Sequence, residues 1–282
     1  MRLERKIVAI TGAGSGIGRA LALEVARHHG IPILLDVNES GLRETAALID
    51  AIGGRSDWHV LDIRDAEQWS ALADKVCALH GHVDILVNNA GVMNASQNFL
   101  DIDIRLARLT FDVNMFGMFN GVRTFAPLLA KRPEAMLINV SSSMSLVGSP
   151  LYSIYVASKC AVTGFTYILR EELSRSRIRV MTVFPGVTKT NLGRNALADD
   201  KAALNEHADH FDKLAFTTPE HAARKIVKGI ERNRKVVCTS FDAKLQQILS
   251  GLAPIGGHKL LAFAMRKLAS PKLFARLDGL AE

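Results

Sequence analysis

The sequence predicts an α/β fold in which a doubly wound, seven-stranded parallel sheet is covered by helices on both faces. Three observations lead there. Short apolar runs of strand length alternate with amphipathic helical stretches, the order that parallel strands joined by helical crossovers require. The first run ends in Thr11-Gly12-Ala13-Gly14-Ser15-Gly16-Ile17-Gly18, a tight glycine-rich turn that leads into a helix. At 282 residues, 48% of them hydrophobic, the chain suits one sizeable core, and a single domain over 1–282 is expected.

The strands fall in order at Ile7 to Thr11, Ile31 to Asp36, Ser56 to Leu61, Ile85 to Asn88, Met136 to Val140, Arg179 to Phe184 and Val236 to Thr239. Helices follow recognisable start signals: small residues near Gly16, then Ser40, Asp65, Ser153, and Thr218 ahead of Pro219-Glu220. Beyond Phe241 the chain exceeds what such a sheet needs. Leu245, Ile248, Leu249 and Leu252 form one apolar stripe, and Leu260, Leu261, Phe263, Ala264 and Leu268 another among Lys259, Arg266 and Lys267. A helical extension over 241–282 is therefore expected. Basic amphipathic helices can contact anionic membranes, but this stretch has no Trp anchor, and packing on the core or a neighbouring subunit is the preferred reading.

Charge and cysteine usage remove several functions. The net charge is +7, yet residues 222–282 alone carry 12 Lys/Arg against 4 Asp/Glu, so the basicity is a property of that end. No aromatic stacking residues or nucleic-acid motif accompany it, and nucleic-acid binding is set aside. Cys77, Cys160 and Cys238 are odd in number and lack C-x-x-C spacing, which indicates neither a disulfide framework nor zinc and suggests a reducing cytoplasm. No apolar signal segment opens the chain, and no stretch reaches the roughly 18 apolar residues of a membrane span. Glu206-His207-Ala208-Asp209-His210 has its histidines at metal-ligand spacing but reads better as a solvated lid helix, so no metal is expected.

Chemistry concentrates in Tyr155-Val156-Ala157-Ser158-Lys159, thirteen residues after Ser142. Four residues apart on a helix, Tyr155 and Lys159 share a face, so an ammonium can favour the ionised phenol. Lowering a phenol by roughly three units from about 10 takes about 4 kcal/mol. One positive charge about 4 Å away supplies that much at an effective dielectric of about 20. Ser142 adds a neutral donor for an oxygen that gains charge as hydride moves. The set suits carbonyl/alcohol redox chemistry.

The glycines at 12, 14, 16 and 18 do not satisfy G-x-G-x-x-G, since Ile17 and Arg19 stand where a third glycine belongs. The underlying physics remains: a strand, a tight turn, and a helix N-terminus offering free N–H groups to a pyrophosphate. Asp36 ends the second strand about 20 residues on, where a carboxylate accepts from ribose hydroxyls and repels a 2′-phosphate. Ser15 and Val37, the flanking positions where a base could neutralise that phosphate, are uncharged, which favours NAD over NADP.

In these motifs the chain resembles the compact form of the short-chain dehydrogenase/reductase family over residues 6 to about 190. They are T-G-A-G-S-G-I-G at 11–18, Asp62-Ile63, N-N-A-G at 88–91, Asn114, Ser142, Tyr155 with Lys159, and Pro185-Gly186. The resemblance implies a Rossmann-type sheet with Tyr155 as acid and base. Asn114, Ser142, Tyr155 and Lys159 would form the catalytic set, with Asn114 interrupting its helix and holding a water that links the lysine to solvent. Gly12, Ser15, Gly16, Ile17 and Gly18 would cradle the cofactor, and Asp62 and Ile63 would flank its adenine. Asn89, Ala90 and Gly91 would stabilise the sheet and touch the adenosine ribose. Lys159 would also hold the nicotinamide ribose, while Pro185, Val187, Thr188 and Thr190 would border the nicotinamide. A homodimer or homotetramer through the helices around Asn114 and Tyr155 is implied as well.

Three functions stay open: an NAD-dependent alcohol dehydrogenase or carbonyl reductase, a 3-oxoacyl-type reductase, and a non-enzymatic NAD-binding sensor. Met93, Met144, Leu146, Val147, Leu151, Leu192, Leu197, Leu214 and Phe216 are expected around a pocket for a lipophilic substrate. Residues 191–216 are expected to close over it as a lid. Cys160 is expected to be a small buried thiol.

Overall fold

The structure is a computed structural model that describes residues 1–198, 204, 215 and 217–252. The expectations for Glu206 to His210, Leu214, Phe216, most of the 191–216 lid and everything from residue 253 onward lie outside the described residues.

Among the described residues seven strands form one parallel sheet: β1 (Ile7–Thr11), β2 (Ile31–Asp36), β3 (Asp57–Val60), β4 (Ile85–Asn88), β5 (Ala135–Val140), β6 (Ile178–Phe184) and β7 (Val236–Cys238). Their order is β3-β2-β1-β4-β5-β6-β7, so the chain reverses direction of growth between β1 and β4. Strand side chains alternate between two cores. Val8, Ile10, Ile85, Val87, Met136 and Ile138 face one side, where α1 (Gly16–Arg27), α2 (Glu39–Asp50) and α8 (Pro219–Glu231) cover them. Ile7, Ala9, Leu86, Leu137 and Val180 face the other, under α3 (Ala66–His80), α5 (Met118–Ala130) and α7 (Ser153–Glu172). Burial on both faces explains the unbroken apolar runs that marked these strands. Each fully buried aliphatic side chain contributes about 1.5–3 kcal/mol.

The remaining helices are α4 (Ile104–Phe111), the short α6 (Met144–Val147) and α9 (Phe241–Leu252), and a π-helical turn over Asp112–Gly117 joins α4 to α5. Asp65 and Thr218 cap α3 and α8 as expected, the latter with Pro219 in the first turn. Ser40 does not cap α2. Asn38 does, its Oδ1 accepting from Gly41 N at 3.1 Å, while Ser40 lies inside the helix and donates to the same oxygen. Asn and Ser both cap well, and the helix starts two residues earlier than a serine cap at position 40 requires. Cys160 is exposed rather than buried. The buried stripe of α7 runs through Tyr155, Ser158, Lys159, Val162, Thr166 and Leu169, and position 160 falls off it.

Candidate active site

A strand order that reverses between β1 and β4 leaves a crevice beyond their carboxyl ends, where α/β sheets of this kind bind ligands. A cleft of about 550 Å³ occupies that position. Of the residues singled out in the sequence, Gly12, Ser15, Gly16, Ile17, Asp36, Asp62, Ile63, Asn89, Ala90, Gly91, Ser142, Tyr155, Lys159, Pro185, Val187, Thr188 and Thr190 line it. Gly18 and Asn114 do not, and act from behind the wall.

The glycine loop has the shape its composition suggested. Gly12 at φ +68° and Gly16 at φ +53° adopt left-handed conformations that favour glycine. A Cβ on Gly18 would lie 2.1 Å from the Gly12 carbonyl oxygen, so the first turn of α1 can approach the loop only without a side chain there. Asp36 closes the loop from the β2 end: its Oδ2 accepts from Gly14 N at 2.9 Å and its Oδ1 from Asn38 N at 3.0 Å. These features fit a dinucleotide: free N–H groups at a helix start, a backbone cradle, and a carboxylate beside it.

Thr11 was not among the candidate site residues, yet it ties the loop to β4. Its Oγ1 accepts from Asn89 N (2.9 Å) and Ala90 N (3.0 Å), and Asn89 Nδ2 donates to Thr11 O at 2.9 Å. Both acceptor positions of the hydroxyl are thereby used. The signal was present, a hydroxyl residue at the end of β1, but nothing in one sequence names its partners 78 residues away. Asp62 faces the cleft with its carboxylate forked by Arg64, whose guanidinium holds it below the usual carboxylate range. Leu109 and Val113 also line the cleft without having been singled out. Among the residues expected around a substrate, Met93, Met144 and Leu192 line it, whereas Leu146, Val147, Leu151 and Leu197 stand outside its wall.

Asn114 sits buried within the π-turn. The wider turn lets its side chain reach sideways: Oδ1 accepts from Val92 N at 2.9 Å, and Nδ2 donates to Val92 O and Ser158 Oγ, each at 2.9 Å. Gly91 keeps the space between Asn114 and Lys159 open, since a Cβ there would meet Asn114 Oδ1 at 3.0 Å and Lys159 Nζ at 3.2 Å.

Ser142 stands near the buried Tyr155 hydroxyl, where it favours the ionised phenol, and its Oγ accepts from Met144 N at 3.2 Å. Its neighbour Ser141 is turned away, donating to Lys159 O at 2.9 Å. Lys159 Nζ donates to Val140 O at 3.1 Å and lies 6.0 Å from the Tyr155 ring centre. The expected lowering of the phenol is reversed in this structure. Burial raises the Tyr155 pKa above its ordinary value, the Ser142 hydroxyl offsets only part of that, and burial pulls Lys159 down to about 8. Desolvation penalises each charge before the two can favour one another.

A family model described as short chain dehydrogenase matches residues 6–201. SadH, a putative oxidoreductase of Mycobacterium tuberculosis strain H37Rv, is 36% identical over 271 residues, which cover 94% of this chain and 96% of the relative. Estradiol 17-beta-dehydrogenase 11 of Macaca fascicularis is 30% identical over 266 residues, covering 93% and 83%. A short-chain dehydrogenase/reductase of Burkholderia phymatum, solved in complex with NAD, matches with a TM-score of 0.82 at 26% identity, over 89% of this chain and 95% of that one. From the match over residues 6–201 and the shared sheet, the chain belongs to the short-chain dehydrogenase family of oxidoreductases.

Proposed function

We propose that the protein is an NAD(H)-dependent oxidoreductase that interconverts a secondary alcohol and a ketone on a lipophilic substrate, with Tyr155 as acid and base. The observation that carries this reading is the placement of Ser142, Tyr155 and Lys159 on one wall of the cleft whose other end is the glycine loop. The nicotinamide, when bound, supplies the hydride or accepts it. Tyr155 moves the proton to or from the substrate oxygen. Ser142 donates a hydrogen bond to the same oxygen as it gains charge, and Lys159 stands behind the phenol as the next proton carrier. Asn114 anchors Val92 and Ser158 and so holds the wall that keeps Lys159 in place.

Asp36 supports NAD over NADP, because a 2′-phosphate beside this carboxylate would meet like charge with Ser15 and Val37 unable to neutralise it. Met93, Met144 and Leu192, which cluster with Tyr155, make that end of the cleft apolar and support a lipophilic substrate. Ile104, Phe116, Phe119 and Ile168 leave an apolar face on α4, the π-turn, α5 and α7, which supports a homo-oligomer built on those helices. Three free thiols support a reducing, cytoplasmic setting. The chain acts as one domain with residues 6–190 as its cofactor-binding and catalytic core.

The test is the nicotinamide absorbance change with a panel of steroid, acyl and terpenoid alcohols and ketones, using NAD and NADP in parallel. NAD-preferring turnover that falls at least about a thousandfold in Tyr155→Phe, with NADH binding kept, is expected. Turnover that survives this substitution would remove Tyr155 from the reaction, and tight NADH binding without turnover on any substrate would favour a sensor.

A further inference from the structure

The helix that carries Tyr155 and Lys159, like α1, begins without the side-chain cap seen at α2, α3, α4 and α8. Asn38, Asp65, Asp103 and Thr218 each accept a backbone N–H at the start of α2, α3, α4 and α8. At α7 the N-cap is Tyr152, which makes no side-chain cap. Its carbonyl accepts from Val156 N at 2.8 Å, and its buried hydroxyl hydrogen-bonds the Ser96 side chain instead. The residue before it, Leu151, is held at φ +70°, a left-handed conformation costly for a branched side chain. Such a conformation persists only where its surroundings over-determine it. The surroundings here are the 92–97 segment, since Gln97 N donates to Leu151 O at 3.1 Å.

That segment is itself pinned from three other sides. Val92 is held by Asn114 through both its N–H and its carbonyl. Asn94 Oδ1 accepts from Thr110 Oγ1 at 3.0 Å. Ala95 N donates to Leu197 O at 2.9 Å, and Leu197 N donates to Met93 O at 2.7 Å. Tyr152 and Tyr155 meet Met93 and Ala95 in a single buried cluster. Three residues apart at the start of α7, the two tyrosines are neighbours within that cluster.

We propose that Tyr152 is a positioning residue for Tyr155: by anchoring the first turn of α7 to Ser96, it fixes where the Tyr155 hydroxyl stands relative to Ser142 and links that position to the Leu197 bridge at the substrate side. The inference rests on the assignment of Tyr155 as the proton-transfer group. A displacement of the order of 1 Å at a reacting group costs up to about a hundredfold in rate, so a modest shift of this turn is readable in kcat.

The experiment compares wild type with Tyr152→Phe, Ser96→Ala, the double variant and Ser96→Thr. Steady-state kinetics and NADH affinity are measured, together with carbon-13 NMR of tyrosine labelled at Cζ; the chain has 3 tyrosines, so each resonance is separable. Tyr152→Phe and Ser96→Ala should each lower kcat about tenfold, leave the NADH dissociation constant and KM within about twofold, and together cost no more than either alone. Ser96→Thr should restore kcat. In Tyr152→Phe the Tyr155 titration should move to higher pH as the phenol draws away from Ser142, a readout that needs no substrate. Unchanged kcat with an unmoved Tyr155 titration overturns the proposal, as do additive losses accompanied by an equal fall in NADH affinity. If Tyr155→Phe leaves turnover intact, the functional reading fails by itself, and the NMR titration still decides whether Tyr152 positions Tyr155.

Discussion

Lys159 is buried where its charge is costly, and that cost has a sign that can be measured. Its folded-state pKa of about 8 lies below the ordinary 10.5, so the penalty for burying the charge is complete below pH 8 and disappears as pH rises toward 10.5. At pH 7 the shift corresponds to about 3 kcal/mol. Lys159→Met should therefore raise the melting temperature of the cofactor-free protein at pH 7 by roughly 5–10 °C, an advantage that shrinks through the same pH window. Activity should move the other way. In wild type, kcat/KM for alcohol oxidation should climb with pH as one proton leaves the Tyr155–Lys159 pair, whose apparent pKa belongs to both groups. The methionine variant should lose the step near pH 8 and fall at least about a hundredfold there. A variant neither more stable at pH 7 nor altered in pH profile would show that Lys159 is not desolvated in solution. That Tyr155, Lys159 and Ser142 would share one cleft was legible from their spacing read together with the family resemblance. The direction of their pKa shifts was not, because the sequence shows which charges are near one another along a helix but not how much water they lose. Cys160 was legible and misread: the stripe from Tyr155 to Leu169 already places position 160 off the buried face.

Elements carry the site by meeting at their ends, and the join between β1 and β4 illustrates how. Thr11 ends β1, Asn88 ends β4, and the backbone N–H groups of Asn89 and Ala90 turn back onto the threonine hydroxyl. Thr11→Val keeps the shape of the side chain while leaving two donors without their acceptor, which costs about 3 kcal/mol of stability. Because Gly12 follows directly, the glycine loop loses its tether and NADH affinity should fall as well. Thr11→Ser keeps the hydroxyl and should behave as wild type; urea denaturation with a parallel NADH titration checks both. Equal behaviour of the valine and serine variants would mean the tether carries no load. The strands themselves were readable because each is an apolar run bounded by turn residues. Their ends were less so: β3 spans Asp57–Val60 rather than Ser56 to Leu61, since Asp36 is the last residue of β2 available to pair with it. The break around Asn114 was expected from family resemblance. That it takes the form of a π-turn, held by Val92 and Ser158, required the side-chain partners to be seen.

At the scale of the whole molecule, the two ends of the sheet do different work. The carboxyl ends of β1, β4, β5 and β6 open onto the cleft, while the amino ends converge on Asp84, which is only 1% exposed. Asp84 Oδ2 accepts from Ile7 N at 3.0 Å, at the start of β1, and its Oδ1 accepts from Arg132 Nε at 2.9 Å, just beyond α5. Lys6 and His82 approach the same carboxylate at 3.6 and 3.3 Å. One side chain thus joins two central strands and the helix that crosses behind them. Removing the carboxylate leaves the Ile7 N–H without its acceptor, at about 1–3 kcal/mol, while Lys6, His82 and Arg132 are partly exposed and can turn to water. Asp84→Ala should lower the melting temperature by roughly 2–12 °C. Nothing at this end touches the cleft, so turnover per folded molecule at 25 °C should match wild type, a separation that thermal denaturation alongside the absorbance assay resolves. A loss of turnover in protein shown to be folded would mean that the strands pass a shift from the amino ends to the glycine loop, and that the sheet is a poorer insulator between stability and chemistry than its packing on both faces implies.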